Sequence, residues 1–130
     1  MRLGLTTLVV RDYDEAIQFF VDAVGFELVS DEADEAQGEG RRWVVVAPPG
    51  RSSGLLLARA DTPEQLAVIG NQTGGRVGFF LYSSDFHGQY ARMRAAKVEF
   101  LDAPRSEPYG MVCVWRDLYG NRWDLLEDRA

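Results

Sequence analysis

One carboxylate in an awkward place carries most of the chemical interest of this chain. Asp124 lies in the middle of residues 122–126, a short β-rich run. Strand centres are half buried, and a buried charge needs a partner. Turned toward a site, Asp124 can accept a hydrogen bond, neutralise a cationic group, or act as a general base if burial raises its pKa toward the working pH. Turned elsewhere, it is a solvated charge or a structural ion pair with Arg122 or Arg42. The other reactive side chains offer less. His87, on an expected helix, reads as a solvated surface residue. Cys113, the one cysteine, is a weak nucleophile without a neighbouring His.

The elements that must hold Asp124 follow from the surrounding residues. Tyr119-Gly120-Asn121 is a tight-turn signal, since Gly and Asn tolerate positive φ. The run 111–115 precedes it and 122–126 follows, so the two predict a closing β-hairpin. Upstream, residues 3–10 predict a strand, with Asp12 or Asp14 as N-cap of a helix whose apolar face is Ala16, Phe19, Phe20, Ala23 and Val24. Gly25 stops that helix. Strands are expected at 26–29, 43–47 and 54–57, with an acidic loop over 31–40. Thr62-Pro63-Glu64 starts a short helix to about Ile69, and the turn-rich 70–75 completes a linker. A strand at 76–82, a cap at Asp85, a helical stripe of Phe86, Tyr90 and Met93, a strand at 98–101 and a loop over 104–110 lead back to the hairpin.

The second half repeats the first at an offset of about 70 residues. Val10-Arg11-Asp12 before one helix matches Ser83-Ser84-Asp85 before the other. Gly25-Phe26-Glu27-Leu28 matches Lys97-Val98-Glu99-Phe100, and Pro49-Gly50 matches Tyr119-Gly120.

With 130 residues, the chain has one domain's worth of core. Its apolar fraction of 46% is that of an ordinary globular protein. No apolar run is long enough to cross a bilayer, and no leader of the charged-apolar-small kind opens the chain, so a cytoplasmic location is expected. A lone cysteine excludes an internal disulfide and fits a reducing compartment. A net charge of −6 argues against nucleic acid and anionic membranes as partners.

Two βαβββ halves, with the words Val-Arg-Asp…Phe-Phe…Val-Gly-Phe-Glu-Leu, Ala-Lys-Val-Glu-Phe and Asp-Leu-Tyr-Gly-Asn-Arg-Trp-Asp-Leu-Leu-Glu, resemble the vicinal oxygen chelate superfamily. That superfamily includes glyoxalase I, extradiol dioxygenases, and fosfomycin- and bleomycin-resistance proteins. The resemblance implies an α+β fold in which two βαβββ modules (1–60 and 76–130, joined by a linker, 61–75) form a curled, barrel-like mixed sheet around a cavity. It also implies a homodimer.

Metal-using branches of the superfamily place a His or Gln on the first strand of each module and a Glu on the last. Carried over by position, those sites fall at Leu5, at Leu55 or Leu56, at Gly78 or Val77, and at Asp124. Only Asp124 offers a donor, whereas a divalent ion wants several N or O ligands. No cofactor is therefore expected, with a divalent metal as the alternative. If Asp124 faces the cavity, alternation adds Arg122 and Leu126, with Leu5, Thr7 and Val9 on the first strand. Gly78, Phe80 and Tyr82 would line the fifth strand, Met111, Cys113 and Trp115 the penultimate one, and Trp43 with Val45 another.

Thr7, Trp43, Phe80, Tyr82, Tyr109, Cys113, Trp115 and Asp124 are the candidate binding residues, suited to a planar, partly aromatic ligand. Phe80, Tyr82 and Trp115 would otherwise only fill the barrel, and Tyr109, with Arg105 and Glu107, would otherwise belong to a solvated loop. The expected function is metal-independent binding of a small planar or aromatic molecule, as in bleomycin-resistance-type proteins. The alternative is a superfamily enzyme (lyase, isomerase or dioxygenase), either metal-dependent or using Asp124 as general base. A dimeric module with no small ligand is the third reading.

Overall fold

A computed structural model describes residues 1–50 and 53–129. It has a mixed α+β architecture in two compact units, Met1–Ile69 and Gly70–Ala130. In the first, β1 (Thr6–Val10) is followed by α1 (Tyr13–Gln18), which widens into a π-helical stretch over Phe19–Val24. Strands β2 (Glu27–Ala33), β3 (Arg42–Ala47) and β4 (Leu55–Arg59) and the short α2 (Pro63–Val68) complete the unit. The second holds β5 (Val77–Ser83), α3 (Phe86–Ala95), β6 (Glu99–Phe100), β7 (Arg105–Glu107), β8 (Gly110–Arg116) and β9 (Arg122–Glu127). No helix among the described residues is long and apolar enough to cross a membrane.

The repeat read from the sequence is a repeat of topology. One sheet runs β1-β4-β3-β2 and the other β5-β9-β8-β6, each with one parallel pair between its first and last strands. Equivalent aspartates start the two helices. Asp12 accepts the Glu15 N–H at 2.8 Å and Asp85 accepts the Gly88 N–H at 3.1 Å, each satisfying a donor that the first turn leaves orphaned. Gly25 ends the first helix with φ +97°, a conformation that glycine adopts without a Cβ penalty.

The sequence expectation differs from the structure at two segments. The expected acidic loop begins only after Ala33, because β2 continues along β3 to the Ala33–Arg42 pair. Its polar side chains stay in water along most of that strand. The expected loop at 104–110 contains β7, which pairs with β8 from Arg105–Val112 to Glu107–Gly110. Tyr109 stands exposed in the turn between them.

Helix α1 and its π-helical extension cover one face of the first sheet. Leu8, Val10, Val44, Val46 and Leu57 are buried there with Ala16, Phe20 and Val24. Thr7, one residue out of phase with Leu8, is exposed. In the second sheet Phe79, Leu81, Trp123 and Leu125 are buried. Phe79 and Trp115 lie on either side of Trp123 with ring centroids 4.7 and 4.8 Å away. Phe80 and Tyr82 point the other way and are 57% and 60% exposed. Since α3 packs on β5 and β9, it covers the Trp123 face.

This register corrects the expected facing of Cys113 and Trp115. Cys113 pairs with Leu125 and Trp115 with Trp123, whereas Val114 pairs with Asp124 and Val112 with Leu126. Directly paired residues share a face. Cys113 and Trp115 therefore belong to the core under α3, fully buried, and Val112 and Val114 take the face assigned to them. The cause is the turn: Asp117 N–H bonds Asn121 C=O at 3.0 Å and Arg116 pairs with Arg122, which sets the parity of the whole hairpin.

The Asp117 carboxylate organises that turn. It accepts the backbone N–H groups of Tyr119, Gly120 and Asn121 at 3.0–3.1 Å, the Asn121 amide, and Trp123 Nε1 at 3.0 Å. Burial pushes its pKa up, and these donors offset part of that cost. Asn121 Oδ1 accepts the Gln72 N–H at 3.1 Å. Gly70 packs so closely here that a Cβ on it would lie 2.0 Å from the Tyr119 carbonyl oxygen.

Two outcomes follow. Asp117→Ala strands several buried N–H donors at once and should lower unfolding free energy by about 2–4 kcal/mol in urea titrations; a loss within error would mean that the turn holds itself. Burial pushes the Cys113 thiol up to about 12, so the native protein should resist a thiol-specific disulfide reagent at pH 8 and react fully once denatured. Stoichiometric reaction of the folded chain would contradict its place in the core.

Candidate functional site

Each unit presents one sheet face that its helix does not cover. In the second unit, the rows across that face are Phe80–Asp124–Val114 and Tyr82–Leu126–Val112. Arg105, paired with Val112, extends the latter row. Val112 and Leu126 are buried and Asp124 and Val114 half buried, while Phe80 and Tyr82 stay exposed. Phe80 thus lies directly beside a partly desolvated carboxylate, with Val114 on its other side and Tyr82 one row along on the same strand as Phe80.

Asp124 is unpaired in this setting. Among the described residues of its unit no hydrogen bond or salt bridge engages its carboxylate, and the alternative ion pair with Arg122 does not form. Arg42 is held within its own unit by Asp14 at 3.0 Å and by Asp31 at 2.7 Å. Burial pushes the Asp124 carboxyl above the usual range; the nearby Arg105 charge opposes this and Asp102 reinforces it. Asp102 is itself engaged, accepting the Val114 N–H at 2.8 Å and pairing with Arg105. A half-buried acceptor without a partner carries a desolvation cost that a donor or a cation would relieve.

In the first unit, Thr7 pairs with Leu56 and Leu56 with Val45 across the uncovered face. Thr7 and Trp43 line a cavity of about 560 Å³, within the range of small-ligand pockets. Trp43 is 41% exposed, while Trp115 and Trp123 are buried. Tyr13, Arg41 and Arg59 line the same cavity. The Arg42 N–H bonds the Tyr13 hydroxyl at 3.2 Å, and Arg59 lies over the Tyr13 ring at 5.2 Å. Burial alone would raise the Tyr13 pKa. The Arg42 and Arg41 hydrogen bonds and the Arg41 and Arg59 charges outweigh it, so the phenol lies below its usual value.

The structure thus groups Thr7 with Trp43, and Phe80 and Tyr82 with Asp124, each set within its own unit. Tyr109 stands apart at the β7–β8 turn, and Cys113 and Trp115 lie in the core. Sequence reading missed Tyr13, Arg41 and Arg59, and also Val112 and Val114 beside Asp124. The latter pair was accessible from hairpin parity once the Asp117–Asn121 turn was recognised. The arginines carried no signal beyond the Arg41-Arg42 dipeptide. A second cavity, about 430 Å³ at the Asp117 turn, is lined by Arg122, expected beside Asp124, but by none of the candidate binding residues.

At the positions where metal-using relatives carry ligands, Leu5 is exposed, Leu56 half buried and Gly78 bare. None has a donor atom, so these side chains do not fit a divalent ion. Among the described residues no group of three or more His, Cys, Asp or Glu is placed to hold one. His87 is exposed on α3.

Known proteins of the same fold agree with this architecture. An uncharacterised protein of Shewanella frigidimarina (strain NCIMB 400) is 51% identical over 121 residues, 92% of this chain and 88% of that protein. The crystal structure of TnmS3, an antibiotic binding protein from Streptomyces sp. CB03234, is 28% identical with a TM-score of 0.77, covering 98% of this chain and 95% of that one. A glyoxalase/bleomycin resistance protein from the same Streptomyces strain is 29% identical with a TM-score of 0.73, covering 95% of this chain and 97% of that one. The sequence profile of the glyoxalase/bleomycin resistance protein/dioxygenase superfamily matches residues 2–125. The chain belongs to that superfamily.

Proposed function

We propose that this protein binds a small planar or aromatic organic molecule without a metal, in the manner of the bleomycin-resistance-type members of its superfamily. The observation that carries the reading is the row Phe80–Asp124–Val114 with Tyr82 beside it. Phe80 is left in water next to a carboxylate whose pKa burial raises and which has no partner among the described residues, and Tyr82 is left in water one row along. A planar molecule stacks on the rings, and a donor or cationic group on it meets Asp124. Trp43 and Thr7 offer an equivalent aromatic-polar pair in the first unit. The likeness to an antibiotic binding protein at 28% identity supports the same reading. The absence of donors at Leu5, Leu56 and Gly78 supports metal independence.

In this reading the protein is cytoplasmic, consistent with its lone cysteine, and a homodimer, whose interface would cover exposed apolar residues such as Leu3, Leu28 and Leu101. Its net charge of −6 disfavours nucleic acid as a partner.

A second reading, an enzyme with Asp124 as general base, is favoured by the raised pKa of that carboxylate. The two part on turnover. Time-dependent product formation, seen by mass spectrometry and abolished in Asp124→Asn, would establish the enzyme; unchanged ligand recovered after long incubation establishes the binder.

Three measurements test the proposal. Saturation-transfer NMR with a panel of planar aromatic amines should find ligands, and Phe80→Ala with Tyr82→Ala should weaken them about tenfold or more. Because both rings are more than half exposed, the double variant should keep its melting temperature within a few degrees. A silent panel, or variants that lose fold or dimer instead of ligand, would defeat the proposal.

Asp124→Asn should weaken cationic ligands yet leave stability at pH 7 equal or higher. The sign follows from linkage. The folded-state pKa lies above the ordinary 3.8, so the ionised Asp124 disfavours the folded state at neutral pH. That disadvantage disappears as pH falls through the folded pKa toward the ordinary one. Thermal melts of both proteins should therefore converge on acidification, and a large destabilisation of the variant at pH 7 would mean that Asp124 is structural.

A further inference from the structure

We propose that the cavity of the first unit is an anion-selective subsite for a planar carboxylate, with the ring on Trp43 and the carboxylate on the guanidinium of Arg59. The inference rests on the ligand-binding reading of the Trp43 face and assigns the chemical class that this unit takes. Its basis is which charges around the cavity are already spent. Arg42 is held by Asp14 and Asp31. Arg41 pairs with Asp61 and donates to the Arg59 carbonyl at 2.6 Å. Arg59 has no carboxylate within salt-bridge distance among the described residues; its one close partner is the Tyr13 ring, 5.2 Å away.

A half-buried guanidinium without an acceptor is the counterpart of an unpaired carboxylate, and a planar carboxylate matches its fork geometry. With Arg42 held by Asp14 and Asp31 and Arg41 by Asp61, Arg59 and Asp34 are the charges of the lining that make no salt bridge among the described residues. Asp34 is the competing intramolecular acceptor. Among the described residues its carboxylate makes no salt bridge with Arg59 or any other cation, while its main chain is fixed by the bond from its N–H to the Arg41 carbonyl at 2.8 Å.

The site also has an apolar platform of the right size. Trp43 and Leu56 are among the residues that line a space of about 560 Å³, enough for a bicyclic ring system. The Tyr13 hydroxyl, which accepts the Arg42 N–H at 3.2 Å, adds a further polar group to the lining.

The test is a calorimetric titration of the full chain with 2-naphthoate and with 2-naphthamide, which share a shape and differ in charge, alongside tryptophan emission. Trp43 is the exposed tryptophan, so quenching reports on this cavity. The expected result is that the acid binds about tenfold or more tightly than the amide, with an affinity that falls as salt rises. Arg59→Gln should remove that preference while leaving the amide unaffected, and Arg59→Lys should restore part of it. Equal binding of acid and amide, or a preference that survives in Arg59→Gln, overturns the anion assignment and leaves the Trp43 face standing as a neutral aromatic site. No heat and no quenching with either compound overturns both. If Arg59→Gln fails to fold, the acid-to-amide ratio of the wild type, its salt dependence and the Arg59→Lys variant decide.

Discussion

The register of the closing hairpin is the constraint on which the candidate chemistry of the second unit depends. A strand side chain has two possible faces, and a shift of one residue exchanges them all. Here the choice is made at Asp117, whose carboxylate gathers the N–H groups of the turn and of Trp123. With Arg116 opposite Arg122, Trp115 must lie beside Trp123, and Val114 beside Asp124. The stack of Phe79, Trp123 and Trp115 then forms on the side that α3 covers. One polar knot thereby divides greasy core from chemical surface.

The two halves use the same plan for different ends. Both place a parallel pair between first and last strands, and both start their helix from a capping aspartate. A βαβββ unit sends one sheet face under its helix and leaves the other available. What differs is the chemistry on offer. The second unit presents a carboxylate beside Phe80 that has no partner among the described residues, and the first an arginine over the Tyr13 ring that meets no carboxylate among the described residues. Such unresolved charges are the informative features of a fold shared by binders and enzymes, because the fold itself does not choose between them. Membership of the superfamily leaves binder and enzyme both open, so the side chains on these faces are where the two readings part.

The absence of donor atoms at Leu5, Leu56 and Gly78 bears on mechanism in the same way. Lewis-acid chemistry needs several oxygen or nitrogen ligands around one ion, and an isolated aspartate cannot supply them.

Much of this was legible in the chain itself. The hydrophobic periods marked the strands and helices. Pro63 after Thr62 announced α2, Asp85 announced α3, and the Tyr119-Gly120-Asn121 turn announced the hairpin, because each is a local preference that acts within a few residues. The facing of β1 and β5 followed as well: Thr7 is exposed next to buried Leu8, and Phe80 and Tyr82 are exposed on either side of buried Leu81, as alternation requires. The facing of β8 did not, since it depends on how many residues the turn consumes, and Cys113 and Trp115 fell on the opposite side from the one expected. The ion pairs lay further beyond reach. Arg42 meets Asp14 and Asp31, and Arg59 meets the Tyr13 ring, partners that only the packed chain brings together. Local sequence determined the elements and their order. Tertiary structure alone decided which charges were neutralised, because pairing is set by distances in space that no local preference encodes.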